Sequence, residues 1–229
     1  SAASDVYKRQ AYDELSDNIP LDEALAMKEL DHIVRLKKLG VQVDYYMMDA
    51  FWFDVNEGYR KWRPDCWPEG PKRWLDACKR EGIKPGLWFS TNLLRIGGEA
   101  NTMRIIPEWE SSVAADGTTL CLFRGGYLHH LMQTLQMYVD MGIKMFKFDF
   151  AYFDAATPDA KCTMLPTDIE EQNKNAFISA IKEFRYRNPD VLFIGYNGFG
   201  GDMENTVTPF RKTVDLRWLC LLYTSDAAD

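Results

Sequence analysis

The sequence is poor in histidine: it has three, His32, His129 and His130, and only the last two are neighbours. Its five cysteines include no CxxC pair and no metal-site spacing. These shortages disfavour a metal-dependent barrel hydrolase, which needs strand-end imidazoles to hold its ion. No metal site and no cofactor are expected. Cys66, Cys78, Cys121 and Cys162 read as isolated buried or half-buried thiols. No apolar run approaches the ~18 residues of a membrane span. Basic residues are outnumbered, 27 against 34, and the net charge of −7 argues against nucleic acid as a partner. A phosphate backbone requires a basic face. Aromatic residues, in contrast, are plentiful, with seven Trp. Such rings serve as platforms for sugar C–H faces, but they are equally ordinary in a core, so their number alone decides little.

The two ends stand apart. Residues 1–10 and 220–229 back-translate into one stretch of DNA read on opposite strands, which resembles a transposase adapter. They are expected to be adapter-derived tails, with Cys220 inside the second. The natural sequence is then residues 11–219, enough for one domain or most of one.

Within that span, hydrophobic period and stop signals alternate regularly. Leu21, Leu25, Leu30, Ile33 and Val34 lie at helical spacing up to Gly40. Residues 41–48 read as a buried strand ending at Asp49. A polar and aromatic loop follows. Residues 71–81 predict a helix closed by Gly82, and 83–89 a strand. Residues 91–124 form a long irregular loop, a length that is usually functional or disordered. Residues 127–141 predict a helix stopped by Gly142, and 143–148 a strand ending at Asp149. Thr167 and Glu170 have capping-box spacing for a helix to about Tyr186, and 191–196 is a strand running into Asn197-Gly198-Phe199-Gly200-Gly201. The order α-β-α-β-α-β-α-β implies an α/β fold with a parallel sheet. A doubly wound sheet and a barrel both fit. Polar residues at strand C-termini, followed by long loops, favour the barrel. The expectation is a partial (β/α)8 TIM barrel holding about strands 2 to 5. One strand is then missing before residue 11 and three after residue 219, since a full barrel takes ~250 residues.

Asp149 is the most informative position. It ends an apolar strand and shares a face with Lys147, two residues earlier. A cation there favours the ionised carboxylate. An ionised, positioned carboxylate is what a retaining glycosidase uses to attack an anomeric carbon. The alternative is a structural Lys–Asp pair capping the strand.

Lys147-Phe148-Asp149 resembles the Lys-x-Asp nucleophile motif of clan D glycoside hydrolases, the α-galactosidase-like barrels of families 27, 31 and 36. The surrounding motifs are most similar to family 36. Asp49-Ala50-Phe51-Trp52-Phe53 stands where the family has Asp-Asp-Gly-Trp-Phe. Trp62 precedes Trp67-Pro68-Glu69-Gly70, Gly86-Leu87-Trp88-Phe89 matches a Gly-Leu-Trp strand, and residues 197–201 match a glycine-rich turn. The resemblance covers about residues 21–205. It implies a retaining α-glycosidase of the α-galactosidase type, acting on an oligosaccharide or glycoside through a covalent glycosyl-Asp149 intermediate. It also suggests a secreted or periplasmic setting. Asp49 would accept from sugar hydroxyls, or merely cap its strand. Lys147 would donate to a hydroxyl and tune Asp149. Trp52, Trp62 and Trp88 would wall the subsite, or pack in the core. Asn197 would reach a hydroxyl, or only form a turn. Asp154 would support the site or be solvated.

Three departures from the family pattern leave the sugar open: Ala50 for the second Asp, Ala151 for an Asn after the nucleophile, and Ser90-Thr91-Asn92 for an acidic stretch. The second carboxyl of a retaining pair lies roughly 5–5.5 Å from the first and in this clan comes from the sixth strand. Asp215 is the candidate within the chain. The other reading places the acid beyond residue 219, and the chain alone is then inactive. Two further readings stay open: a family 31-like α-glucosidase or α-xylosidase, and a non-catalytic sugar-binding barrel.

Overall fold

The structure is a computed structural model and describes residues 21–96 and 101–199. The two ten-residue tails, Asp215, Gly200 and Gly201 lie outside the described residues. Helix α1 (Glu23–Lys38) precedes strand β1 (Tyr45–Met48), a hairpin of β2 (Phe53–Asp54) and β3 (Gly58–Trp62), helix α2 (Lys72–Arg80) and β4 (Lys84–Ser90). Helix α3 (Tyr127–Asp140), β5 (Met145–Asp149), α4 (Pro158–Thr163), α5 (Pro166–Arg187) and β6 (Leu192–Gly195) follow.

Four strands form one parallel sheet in the order β1-β4-β5-β6. Spatial order follows chain order, and each step crosses through a helix. A doubly wound sheet reverses direction at a switch point; no reversal occurs among these strands. The sheet is an incomplete (β/α)8 barrel, with the β2–β3 hairpin set in the loop after β1.

The register fixes what each face carries. Met47 lies beside Gly86, Gly86 beside Met145, and Met145 beside Leu192. Met47, Met145 and Ile194 form a small apolar cluster of their own on that face. A Cβ on Gly86 would meet the Met145 side chain at 2.9 Å, so this row closes only around glycine. Toward the strand C-termini the same face carries Trp88, Lys147 and Asp149. The opposite face carries Tyr46, Met48, Leu87, Phe89, Phe146, Phe148 and Phe193, which join the main core with Leu30, Trp74, Leu135, Phe177 and Phe184 of the helices. Burying each such side chain contributes about 1.5–3 kcal/mol. The phenylalanines interlock edge-on, as Phe146 on Phe184 and Phe148 on Phe177.

Helix boundaries have local causes. Asp22 caps α1 by accepting from the Leu25 N–H at 2.7 Å. Lys37 then donates to the Glu81 carbonyl at 2.9 Å, tying α1 to the end of α2. The expected capping box on α5 does not form. The helix starts two residues earlier at Pro166, with Leu165 as an N-cap that makes no side-chain hydrogen bond. Glu170 instead pairs with Lys174 one turn on. The four thiols among the described residues are free: Cys78 and Cys121 are buried and Cys66 is half-buried, but Cys162 is exposed on α4, contrary to expectation. No described helix is long and apolar enough to cross a membrane.

Candidate active site

Asp49 and Asp149 close β1 and β5 in the same way. Each accepts the N–H of the next residue, from Ala50 at 2.8 Å and from Phe150 at 2.9 Å. A non-glycine residue of positive φ follows each, Phe51 at 75° two residues after Asp49 and Phe150 at 49° directly after Asp149. Such backbone costs of order 1–3 kcal/mol and concentrates at functional sites. It turns the chain sharply at the strand end.

Both carboxylates are buried, Asp49 at 7% and Asp149 at 6% exposure. A buried charge must be compensated. For Asp149 the compensation is a ring of N–H donors. Oδ1 accepts from Phe150 N and, at 3.3 Å, from Asn197 N, while Oδ2 accepts from Trp88 Nε1 at 3.2 Å. For Asp49 it is a cation: Lys147 Nζ lies 3.2 Å from Oδ2. The ion pair of Lys147 therefore spans from β5 to β1, where the sequence suggested tuning of Asp149 from within its own strand. Sequence spacing places Lys147 on the correct face, but the partner is set by the register of β1, β4 and β5.

The rim is braced from behind. Asn92 exchanges two hydrogen bonds with the backbone of Tyr152, at 2.7 and 2.8 Å, and donates to Leu120 O at 2.8 Å. This welds the loop after β4 to the loop after Asp149. Gly198, at φ +93°, allows the turn after β6 to press on Ala151, whose carbonyl oxygen would lie 2.2 Å from an added Cβ. Ala151 N donates to Asn197 O at 3.0 Å, which holds the Asn197 N–H against Asp149. Tyr59 accepts the Ser90 N–H at 2.9 Å, and burial pushes its phenol well above the usual value, so it stays neutral.

The predicted residues thus divide. Asp49, Trp88, Lys147, Asp149 and Asn197 meet at one rim. Asn197 contributes its backbone N–H, and its side chain is exposed. Trp88 is buried at 1% and serves through its indole N–H. Trp52 and Trp62 belong to the core. Trp52 is fully buried, donates to Trp88 O at 2.9 Å and meets Tyr59, Phe89 and Tyr138. Trp62 packs between Trp52 and Trp67, with ring centroids 4.7 Å from each. The core-packing alternative describes both, because the loop after β1 folds back over the sheet and draws these rings into its own hairpin. Asp154 is exposed, as in its solvated reading. Sequence reasoning missed Phe51, Phe150, Tyr59 and Tyr196. Of these, only the strand-end position of the two phenylalanines was a visible signal.

No family model matches the chain. The α-galactosidase Mel36A of Lactobacillus acidophilus is 25% identical to it over 187 residues, 74% of this chain and 25% of that protein. The chain is similar to family 36 α-galactosidases. Its motifs implied that resemblance, and solved structures agree on the fold. The α-galactosidase of Lactobacillus brevis superposes with a TM-score of 0.55 at 18% identity, covering 82% of this chain and 26% of that one. A variant of the GH36 α-galactosidase AgaA of Geobacillus stearothermophilus, in complex with stachyose, gives a TM-score of 0.60 at 14% identity, covering 89% and 28%. The chain thus spans about a quarter of the length of the α-galactosidases it matches.

Proposed function

We propose that this chain is the nucleophile-bearing part of a retaining α-galactosidase-type glycoside hydrolase, with Asp149 as the nucleophile. The observation that carries the reading is the Asp149 carboxylate itself. It is buried at the C-terminal rim of a parallel sheet, the face that bears the chemistry of such barrels, and is held by N–H donors from three segments. Donors of this kind hold the carboxylate oriented for attack on C1. The Asp49–Lys147 pair supplies an acceptor and a donor for hydroxyls of the sugar, and charged partners strengthen such bonds. The substrate class is an α-linked galactoside or oligosaccharide, in keeping with the stachyose complex of the AgaA variant.

The acid that protonates the leaving oxygen comes, on this reading, from the next strand, either as Asp215 or from beyond residue 219. With the acid beyond residue 219, the chain by itself binds sugar without turnover. The test uses a protein carrying the complete barrel. There, Asp149→Asn abolishes hydrolysis of an aryl α-galactoside and keeps sugar binding. Asp149→Gly with added azide yields the β-galactosyl azide, because azide enters from the face the carboxylate vacated and C1 inverts once. Full hydrolysis by Asp149→Asn, or no azide adduct from an otherwise folded Asp149→Gly, removes Asp149 from the mechanism.

A further inference from the structure

Tyr196 stands one residue beyond β6 and is 43% exposed, among the few large side chains left open. Its backbone N–H donates to Phe148 O at 2.8 Å, and the next residue donates to Asp149. Its place at the rim is therefore fixed by the same turn that holds the carboxylate. The ring faces Lys147: Nζ lies 4.9 Å from its centroid. On its other side the same ammonium pairs with Asp49 at 3.2 Å. Asp49, Lys147 and Tyr196 thus form a row across β1, β5 and β6.

We infer that Tyr196 is a positioning residue of the sugar site, which clamps the Lys147 ammonium against Asp49 and so sets where that donor meets a sugar hydroxyl. The role of the site rests on the function proposed above; the clamp itself does not. A lysine side chain has four rotatable bonds and loses much rotamer freedom when fixed. The ion pair with Asp49 holds the ammonium from one direction. A ring face within about 6 Å attracts the cation and holds it from another. The part of the ring left open is a surface for sugar C–H groups beside the donor. The ring, and not the hydroxyl, carries the effect, so phenylalanine suffices.

The test applies to the chain as it stands. Its lysines are converted to ¹³C-dimethyl-lysine, which keeps the charge, and followed by NMR. The Lys147 signal is identified by its loss in Lys147→Arg. The inference expects that signal to be shifted upfield by the ring in the wild type and in Tyr196→Phe, and to fall back to the position of exposed lysines in Tyr196→Ala, with circular dichroism unchanged in all three. A Lys147 signal at the exposed-lysine position in the wild type, or one unmoved in Tyr196→Ala, overturns the clamp. Titration with raffinose separates the two ideas. A clamped signal that raffinose leaves in place counts against the sugar site and leaves the clamp standing. An unclamped signal that raffinose shifts does the reverse.

Discussion

The indole N–H of Trp88 donates to Oδ2 of Asp149 across 3.2 Å of buried space between adjacent strands. The β4–β5 register puts Trp88 opposite Lys147 and Ser90 opposite Asp149, so the bond runs diagonally along one face of the sheet. The Asp149 carboxylate receives its other two donors from backbone, and Trp88 is the one that a substitution removes cleanly.

Trp88→Phe keeps an aromatic ring against Phe53 and Phe150 and deletes the donor. Leaving a buried carboxylate oxygen unpaired costs about 1–3 kcal/mol. Urea denaturation of Trp88→Phe, Asp149→Asn and the double variant should give an interaction energy of about 1–2 kcal/mol. Additive effects of the two substitutions would mean that the bond contributes nothing in solution.

Much of this architecture is legible in the residues. Three of the strands are visible because each is an apolar run stopped by Asp49, Asp149 or Asn197, and the helices because a glycine follows three of them. The hairpin was hidden: Phe53–Asp54 and Gly58–Trp62 are too short for a period to appear, and the loop between them carries no Asn-Gly pair. Helix α4 is six residues long, too short for a helical period to appear, although Thr157-Pro158 is a start signal, with the Thr157 hydroxyl accepting from Ala160 N at 3.3 Å. Membership of the site was harder. Spacing shows which residues share a face, but the Lys147–Asp49 pair and the Trp88–Asp149 bond depend on interstrand register, which no local pattern encodes. The roles of Trp52 and Trp62 depended on where a loop folds back.

Asn173 tests what supports the rim from the helix side. It is fully buried on α5, accepts from Leu122 N at 2.8 Å and donates to Phe153 O and Ala155 O at 2.7 and 2.9 Å. It thus joins the loop before α3 to the loop after Asp149. Asn173→Leu keeps the forked outline of the side chain, at a larger volume, and leaves three buried backbone groups unpaired, at about 1–3 kcal/mol each before relaxation. Stability should fall by on the order of 3 kcal/mol, read from the urea midpoint, and the Leu122 amide should lose its hydrogen-exchange protection. The neighbouring Lys174→Ala, on the outer side of the helix, should cost ~0.5 kcal/mol or less. Equal losses at the two positions would show that Asn173 is not a node.

His130 sets an acid limit on the fold. It is buried against Trp109, with ring centroids 4.9 Å apart, and its Nε2 has no hydrogen-bond partner among the described residues. Burial, and then the nearby Arg60 cation, hold its pKa down to about 4, with Glu108 opposing. The unfolded chain takes up this proton near pH 6.5, so the unfolded state binds it first as pH falls. Stability is therefore full above about pH 6.5 and declines toward pH 4, by a total of about 3 kcal/mol. His130→Gln cannot take up that proton. Between pH 6.5 and 4 its unfolding free energy should run flatter than that of the wild type, whatever its value at neutral pH. Parallel pH profiles for the two proteins would place the titration elsewhere.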